Sequence, residues 1–190
     1  FVQKTVVLVK PDGVRRGLVG DIVSRFERVG LKIVAMKMVW INKDFVGKHY
    51  RDDANWYRSV GDKLLKFYEE NGKDIGEDLG TSNSVELGKM VRGWLFDYIT
   101  SGPVMAILWE GRHAVEIVRK IVGSTYPLNA VPGTIRGDYE LDSPYLANFG
   151  KRSIKNLIHA SGSAEEAAFE RKLWFKEKEI HDYKRVGEDL

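Results

Sequence analysis

Apolar and polar positions change period along the chain, and each change marks an element. Val2 to Val9 closes on the apolar run Val6-Val7-Leu8-Val9, the pattern of a buried strand, and Pro11-Asp12-Gly13 turns the chain. Leu18, Ile22, Val23, Phe26 and Val29 then recur at helical spacing, with Gly30 as the stop. From Leu31 to Trp40, Ile33, Ala35, Met36 and Met38 stand among lysines as in a half-buried strand, and Asn42 is placed to cap a short helix carrying His49 and Tyr50. Val91, Leu95, Phe96 and Ile99 form a second helical face, and Pro103 to Trp109 reads as a third strand. Ala114, Val115, Ile117, Val118, Ile121 and Val122 mark a helix ended by Gly123. Leu157-Ile158-His159 forms the last strand, and Ala164 to Trp174 forms a helix opened by Ser163 and Glu166 in capping-box spacing.

Strands and helices alternate, so the class is α/β or α+β. Four strands are few for a doubly wound sheet. A ferredoxin-like βαββαβ arrangement, an antiparallel sheet with helices packed on it, accounts for the count. The 190 residues suit one domain with a sizeable core, and no internal repeat or low-complexity tract appears.

Composition narrows the function classes. The chain is 43% hydrophobic and 30% charged, ordinary values for a soluble globular protein. Its 30 basic and 27 acidic residues leave a net charge of only +3, too mild to point to nucleic acid, and Lys172 to Arg185 alternates in sign like a solvated face. There is no cysteine, which rules out thiolate chemistry and fits a reducing cytoplasm. No apolar stretch reaches the length of a membrane span, and the amino end lacks a signal-peptide pattern. The expectation is a soluble cytoplasmic protein.

Three runs carry chemistry. In Asn156-Leu157-Ile158-His159-Ala160-Ser161-Gly162-Ser163, a strand delivers an imidazole to a turn of small residues that opens a helix, whose N–H groups and dipole favour anions. Lys10-Pro11-Asp12-Gly13-Val14 follows the first strand directly. Pro132-Gly133-Thr134-Ile135-Arg136-Gly137-Asp138 sets an arginine on a stiff loop. Together they resemble the nucleoside diphosphate kinase family, from Thr5 to about Phe175. Relative to the usual family pattern two stretches look inserted, at about 58–91 and 139–151 within one domain spanning 1–190. In the first, Val60, Leu64, Leu65, Phe67 and Tyr68 give an apolar helical face and Gly72 to Ser84 is loop-like, and it is long enough to be a functional or oligomer-contact element. A solvated elaboration without chemistry is the plainer reading of both.

The resemblance implies transfer of the terminal phosphoryl group of an NTP to an NDP by a ping-pong mechanism through a phosphohistidine at His159. An imidazole suits that role. Its ordinary pKa of about 6.5 leaves it largely neutral and nucleophilic near pH 7, and its P–N bond keeps a high transfer potential. By motif position the family assigns phosphate contacts to Arg119, Thr125 and Arg136. It sets Lys10 and Asn156 near the ribose hydroxyl and the transferring phosphate with Tyr50 beside them, and gives Glu170 the task of orienting the imidazole. Asp12 is expected to brace the Lys10 turn. The base would stack on Trp56 or Tyr57. Mg²⁺ would arrive on the nucleotide phosphates rather than in a protein cage. The expected partners are ATP, other NTPs and NDPs, together with further copies of the chain, since the family implies a hexamer or a tetramer. One departure stands out: many members have Gly-Ser-Asp after the histidine, whereas here Ala160-Ser161-Gly162 follows. The rival reading is a non-catalytic nucleotide- or nucleic-acid-binding protein on the same fold. No Gly-x-x-x-x-Gly-Lys-Ser/Thr run supports a P-loop enzyme.

Overall fold

A computed structural model describes residues 2–50 and 52–186. In chain order the elements are β1 (Val2–Val9), α1 (Pro11–Arg15), α2 (Val19–Arg28), β2 (Lys32–Val39), α3 (Lys43–His49), α4 (Ala54–Glu70), α5 (Ile75–Leu79), α6 (Ser84–Ile99), β3 (Val104–Arg112), α7 (Ala114–Val122), α8 (Ile135–Tyr139), α9 (Pro144–Phe149), β4 (Ile158–Ala160) and α10 (Ala164–Trp174), with short 3₁₀ turns at Pro127–Asn129 and Glu177–Glu179. They fall into two compact units. One comprises Phe1–Trp40, Gly102–Leu141 and Asn156–Leu190, and the other Ile41–Ser101 and Asp142–Lys155.

The first unit is built on an antiparallel sheet of order β2-β3-β1-β4. The two inner strands are buried on both faces, β1 through Val6, Val7, Leu8 and Val9 and β3 through Ala106, Ile107, Leu108 and Trp109, all fully inaccessible. Val7, Val9, Ile107 and Trp109 meet Ile22 and Phe26 of α2 and Val118 and Val122 of α7 in the main core. There the Phe26 and Trp109 rings lie 5.2 Å apart, tilted by 56°. This is the ferredoxin-like α+β fold expected from the strand count.

β4 is shorter than its apolar run suggests. Leu157 adopts a left-handed backbone, φ 66°, and so stands outside the ladder. The strand proper pairs Ile158 with Val9 and His159 with Leu8.

The second unit is helical. α4 and α6 begin earlier than their apolar stripes, because Asp53 caps the Trp56 N–H and Asn83 caps those of Val85 and Glu86. The two helices approach so closely that a side chain at Gly61 would collide with the Ser84 carbonyl, and one at Gly88 with that of Tyr57. The stretch from Gly72 to Ser84, loop-like in sequence, contains α5, stopped at one end by the Asp74 cap and at the other by Gly80. Tyr68 ties this unit together: its hydroxyl donates to Asp78 Oδ2 and accepts from Asn148 Nδ2 of α9, each at 2.8 Å. Among the described residues, no helix is long and apolar enough to cross a membrane.

Candidate active site

The site of the first unit grows from the end of β1 and the strand beside it. His159 faces the turn before α10, and its Nε2 lies 2.7 Å from Glu170 Oε1. Glu170, on α10, is 2% exposed, and its second oxygen accepts the Ser161 hydroxyl at 2.7 Å. Ser161 Oγ in turn accepts the Val6 N–H at 3.2 Å, so the carboxylate is tied back to the central strand. Against a carboxylate, Nε2 carries the proton, which assigns the tautomer from its partner.

Lys10 leaves β1 with its N–H bonded to the Leu157 carbonyl at 2.8 Å and its Nζ donating to Asn156 Oδ1 at 2.7 Å. Burial, and secondarily the Arg136 cation, push its pKa down to about 7, with Asp12 opposing them. Asn156 also donates to the Thr125 carbonyl at 3.0 Å, so one amide links Lys10 to the turn after α7. Asp12 Oδ2 accepts the Leu157 N–H at 3.2 Å. The acid thereby holds the left-handed residue two places before the histidine.

Arg136, on α8, is 8% exposed, and its guanidinium fans across main-chain carbonyls. Nε reaches Asn156, Nη2 reaches Ile158, and Nη1 reaches Gly123 and Ser124, at 2.6 to 3.2 Å. A cation in a Pro/Gly turn was legible in sequence; its grip on the two segments that carry Thr125 and His159 was not. Arg119 is exposed on the last turn of α7, directed toward Gly162.

Lys10, Arg119, Thr125, Arg136, Asn156, His159 and Glu170 thus all belong to the first unit. Tyr50 and Trp56 belong to the second. There Tyr50 follows α3, and its ring lies 6.1 Å from that of Trp56, tilted by 48°. Trp56 is half-buried, whereas Tyr57 is 4% exposed with its hydroxyl donating to Asp52 at 2.8 Å. In the sequence Ser161 was only one of the small residues of the turn after the histidine, where such a hydroxyl bonds locally. Its partners are instead Val6 and Glu170, and a small polar residue between a histidine and a helix cap was the only signal for them.

The chemistry available is that of an imidazole fixed by a buried carboxylate on the first unit's scaffold, which also carries Lys10, Arg119, Arg136 and the N-terminus of α10, an arrangement suited to a phosphate.

The sequence model of the nucleoside diphosphate kinase family matches residues 3–71 and 84–180. A nucleoside diphosphate kinase of Pyrobaculum aerophilum is 50% identical over 179 residues, which span 94% of this chain and 98% of that protein. The crystal structure of an NDP kinase from the same organism superposes with a TM-score of 0.90 at 48% identity, covering 96% of this chain and all of that one. A transition-state mimic of the Borrelia burgdorferi nucleoside-diphosphate kinase with vanadate and ADP gives a TM-score of 0.77 at 40% identity, covering 97% and 93% of the two chains.

Proposed function

The chain belongs to the nucleoside diphosphate kinase family, and from that premise we propose that it moves the terminal phosphoryl group of an NTP to an NDP through a phosphohistidine at His159. The observation that carries the reading is the buried Ser161–Glu170–His159 chain. With the Nε2 proton held by Glu170, His159 Nδ1 attacks the terminal phosphorus, the bond to the bridging oxygen breaks, and the NDP leaves with that oxygen's electron pair. An incoming NDP takes the group back from Nδ1 by the same path in reverse. The Nε2 proton stays with the histidine–carboxylate pair throughout, so the ring stabilises positive charge without a proton leaving the site.

Arg119, Thr125 and Arg136 are the proposed phosphate contacts, Arg136 also fixing the main chain on which His159 and Thr125 stand. Lys10 and Asn156 serve the ribose hydroxyl and the transferring phosphate, with Tyr50 assigned beside them. Trp56 is the proposed base platform, because its ring is the more exposed of the two candidates and Tyr57 is buried with its hydroxyl engaged. Mg²⁺ fits as part of the substrate. Both Glu170 oxygens are engaged by His159 and Ser161, so the ion would be held by nucleotide phosphates and would spread their charge during transfer.

The proposed assembly is a homo-oligomer, a hexamer or a tetramer. It is supported by the apolar side chains at the end of β2, where Met36 and Met38 are 44% and 56% exposed and Trp40, just beyond the strand, is 68% exposed. The cysteine-free sequence suits the cytoplasm, the proposed location.

Incubation with γ-labelled ATP tests the chemistry. The expected result is acid-labile, alkali-stable label on the protein that unlabelled NDP removes, and that is absent in His159→Ala. Unlabelled wild-type protein that still binds ATP would instead support the non-catalytic binder.

A further inference from the structure

Gly162 closes the turn that follows His159, and its N–H donates to Glu166 Oε2 at 2.8 Å. Ser163 Oγ accepts the Glu166 N–H at 3.2 Å. The return bond of the helix cap therefore falls one residue ahead of its usual place and brings a carboxylate over the glycine. A Cβ built on Gly162 would lie 2.5 Å from Glu166 Oε2 and 3.7 Å from Arg119 Nη1. The carboxylate therefore occupies the place of a side chain at 162, and the guanidinium borders it. Among the described residues they are not joined as an ion pair within 4.0 Å, but their separation is well inside the Debye length of ~10 Å.

We propose that Glu166 is a built-in counter-charge of the nucleotide site, whose carboxylate opposes phosphate at Arg119 and so weakens nucleotide binding and speeds release. The proposal rests on the reading of Arg119 as a phosphate contact. Phosphates brought to Arg119 meet a negative charge that is tethered: leaving would break a charge-assisted bond to Gly162 and give up the favourable N-terminal end of α10. Arg119 is also partly neutralised before the ligand arrives. A ping-pong exchange releases a nucleotide from one site in each half-reaction, so binding substrate and product alike too tightly would slow turnover without aiding chemistry. The same carboxylate fills the space that a side chain at 162 would need, which couples the glycine to the acid one helical turn later.

Calorimetric binding of ADP without metal tests this in wild type, Glu166→Gln, Arg119→Ala and the double variant Gly162→Asp with Glu166→Ala, in which the alanine vacates the space the aspartate needs. Glutamine keeps an oxygen for the Gly162 N–H, and an unchanged melting midpoint verifies that the turn survives. Glu166→Gln is expected to bind ADP about three- to tenfold tighter at low salt, with the gain falling below about twofold near 0.5 M salt, as expected for exposed charges. In the exchange assay its kcat and KM should fall together. The added aspartate in the double variant should return the weaker, wild-type affinity. Equal or weaker binding by Glu166→Gln, a gain that persists at high salt, or a double variant that stays tight would each overturn the proposal. Failure of the wild type to bind ADP, or full ADP affinity in Arg119→Ala, would instead remove the nucleotide reading beneath it.

Discussion

The Glu170 carboxylate meets His159 Nε2 at 2.7 Å from a side chain that is almost wholly buried. Its charge and its fixed direction therefore both act on the ring. Glu170→Gln keeps the shape and removes the charge. Single-turnover phosphorylation of His159 should slow by about 10²-fold, the scale for one preorganised electrostatic partner, with the melting midpoint little changed. Labelling at the wild-type rate would reduce Glu170 to a packing residue.

Ser161 holds that carboxylate from the far side, and it is fully inaccessible. Ser161→Ala deprives both Glu170 Oε2 and the Val6 N–H of a partner, at a cost of about 1–3 kcal/mol for buried polar groups left unpaired. The unfolding free energy from denaturant titration should fall by that amount, and phosphorylation should slow as the carboxylate loses one of its anchors. An alanine variant as stable as wild type would show that water replaces the hydroxyl.

The two arginines should fail differently. Arg136 binds the carbonyls of Gly123, Ser124, Asn156 and Ile158, so Arg136→Ala should lower stability as well as turnover, and Arg136→Lys should restore little because an ammonium lacks the planar fork. Arg119 is exposed, so Arg119→Ala should cost turnover about 10²-fold with an unchanged melt. Thermal melts and steady-state rates on the same samples separate the two cases, and equal melts would refute the bracing role.

How far each feature could be read from sequence follows from how local its cause is. The run Val6–Val9 announced a strand buried on both faces, and Ala164–Trp174 carried its own cap, so both appeared where the pattern put them. The starts of α4 and α6 lie at Asp53 and Asn83, ahead of the apolar stripes, because a stripe marks only where a helix is buried, not where its backbone begins. Leu157 read as strand because nothing in a leucine announces a left-handed backbone; Asp12, distant in sequence, holds it there. The pairing of His159 with Glu170 was reached through family resemblance. Ser161's bond to Val6 joins residues 155 positions apart, and no periodicity records such a contact.

Lys10 makes stability and binding depend on pH. Its folded pKa of about 7 lies below the ordinary 10.5, chiefly because burial disfavours the charge. Between those values the unfolded lysine holds a proton that the folded one has shed, so unfolding takes up a proton and the group's contribution to stability rises with pH across that window. Lys10→Met cannot titrate. Its stability advantage over wild type should be greatest below pH 7 and shrink toward pH 10, as read from denaturant midpoints at several pH values. Near pH 8, nucleotide phosphates should restore the charge, so binding heats should differ between buffers of unlike ionisation enthalpy in wild type and not in the variant. Parallel stability curves would contradict the depressed value.

The segment after α10 lies along the edge of β2 that faces away from β3. The His181 N–H donates to the Val34 carbonyl at 2.8 Å, the Tyr183 hydroxyl to that of Ile33 at 2.6 Å, and Arg185 to that of Leu31 at 2.9 Å. Lys32 donates back to the Tyr183 carbonyl at 2.7 Å, and Lys37 pairs with Glu179 at 2.9 Å. β2 shifts register between Ile33 and Ala35, which leaves the Val34 carbonyl for the tail rather than for β3. An edge strand stripped of such cover offers its main chain to other copies. A chain ended after Lys176 should therefore unfold at lower denaturant and show a heavier, concentration-dependent species in light scattering. Tyr183→Phe, which loses one bond worth about 1 kcal/mol, should shift the midpoint slightly and leave the mass unchanged. If the shortened chain matched wild type in both midpoint and mass, these bonds would be incidental to the fold, and the edge of β2 would have to be protected by its own bulge and lysines.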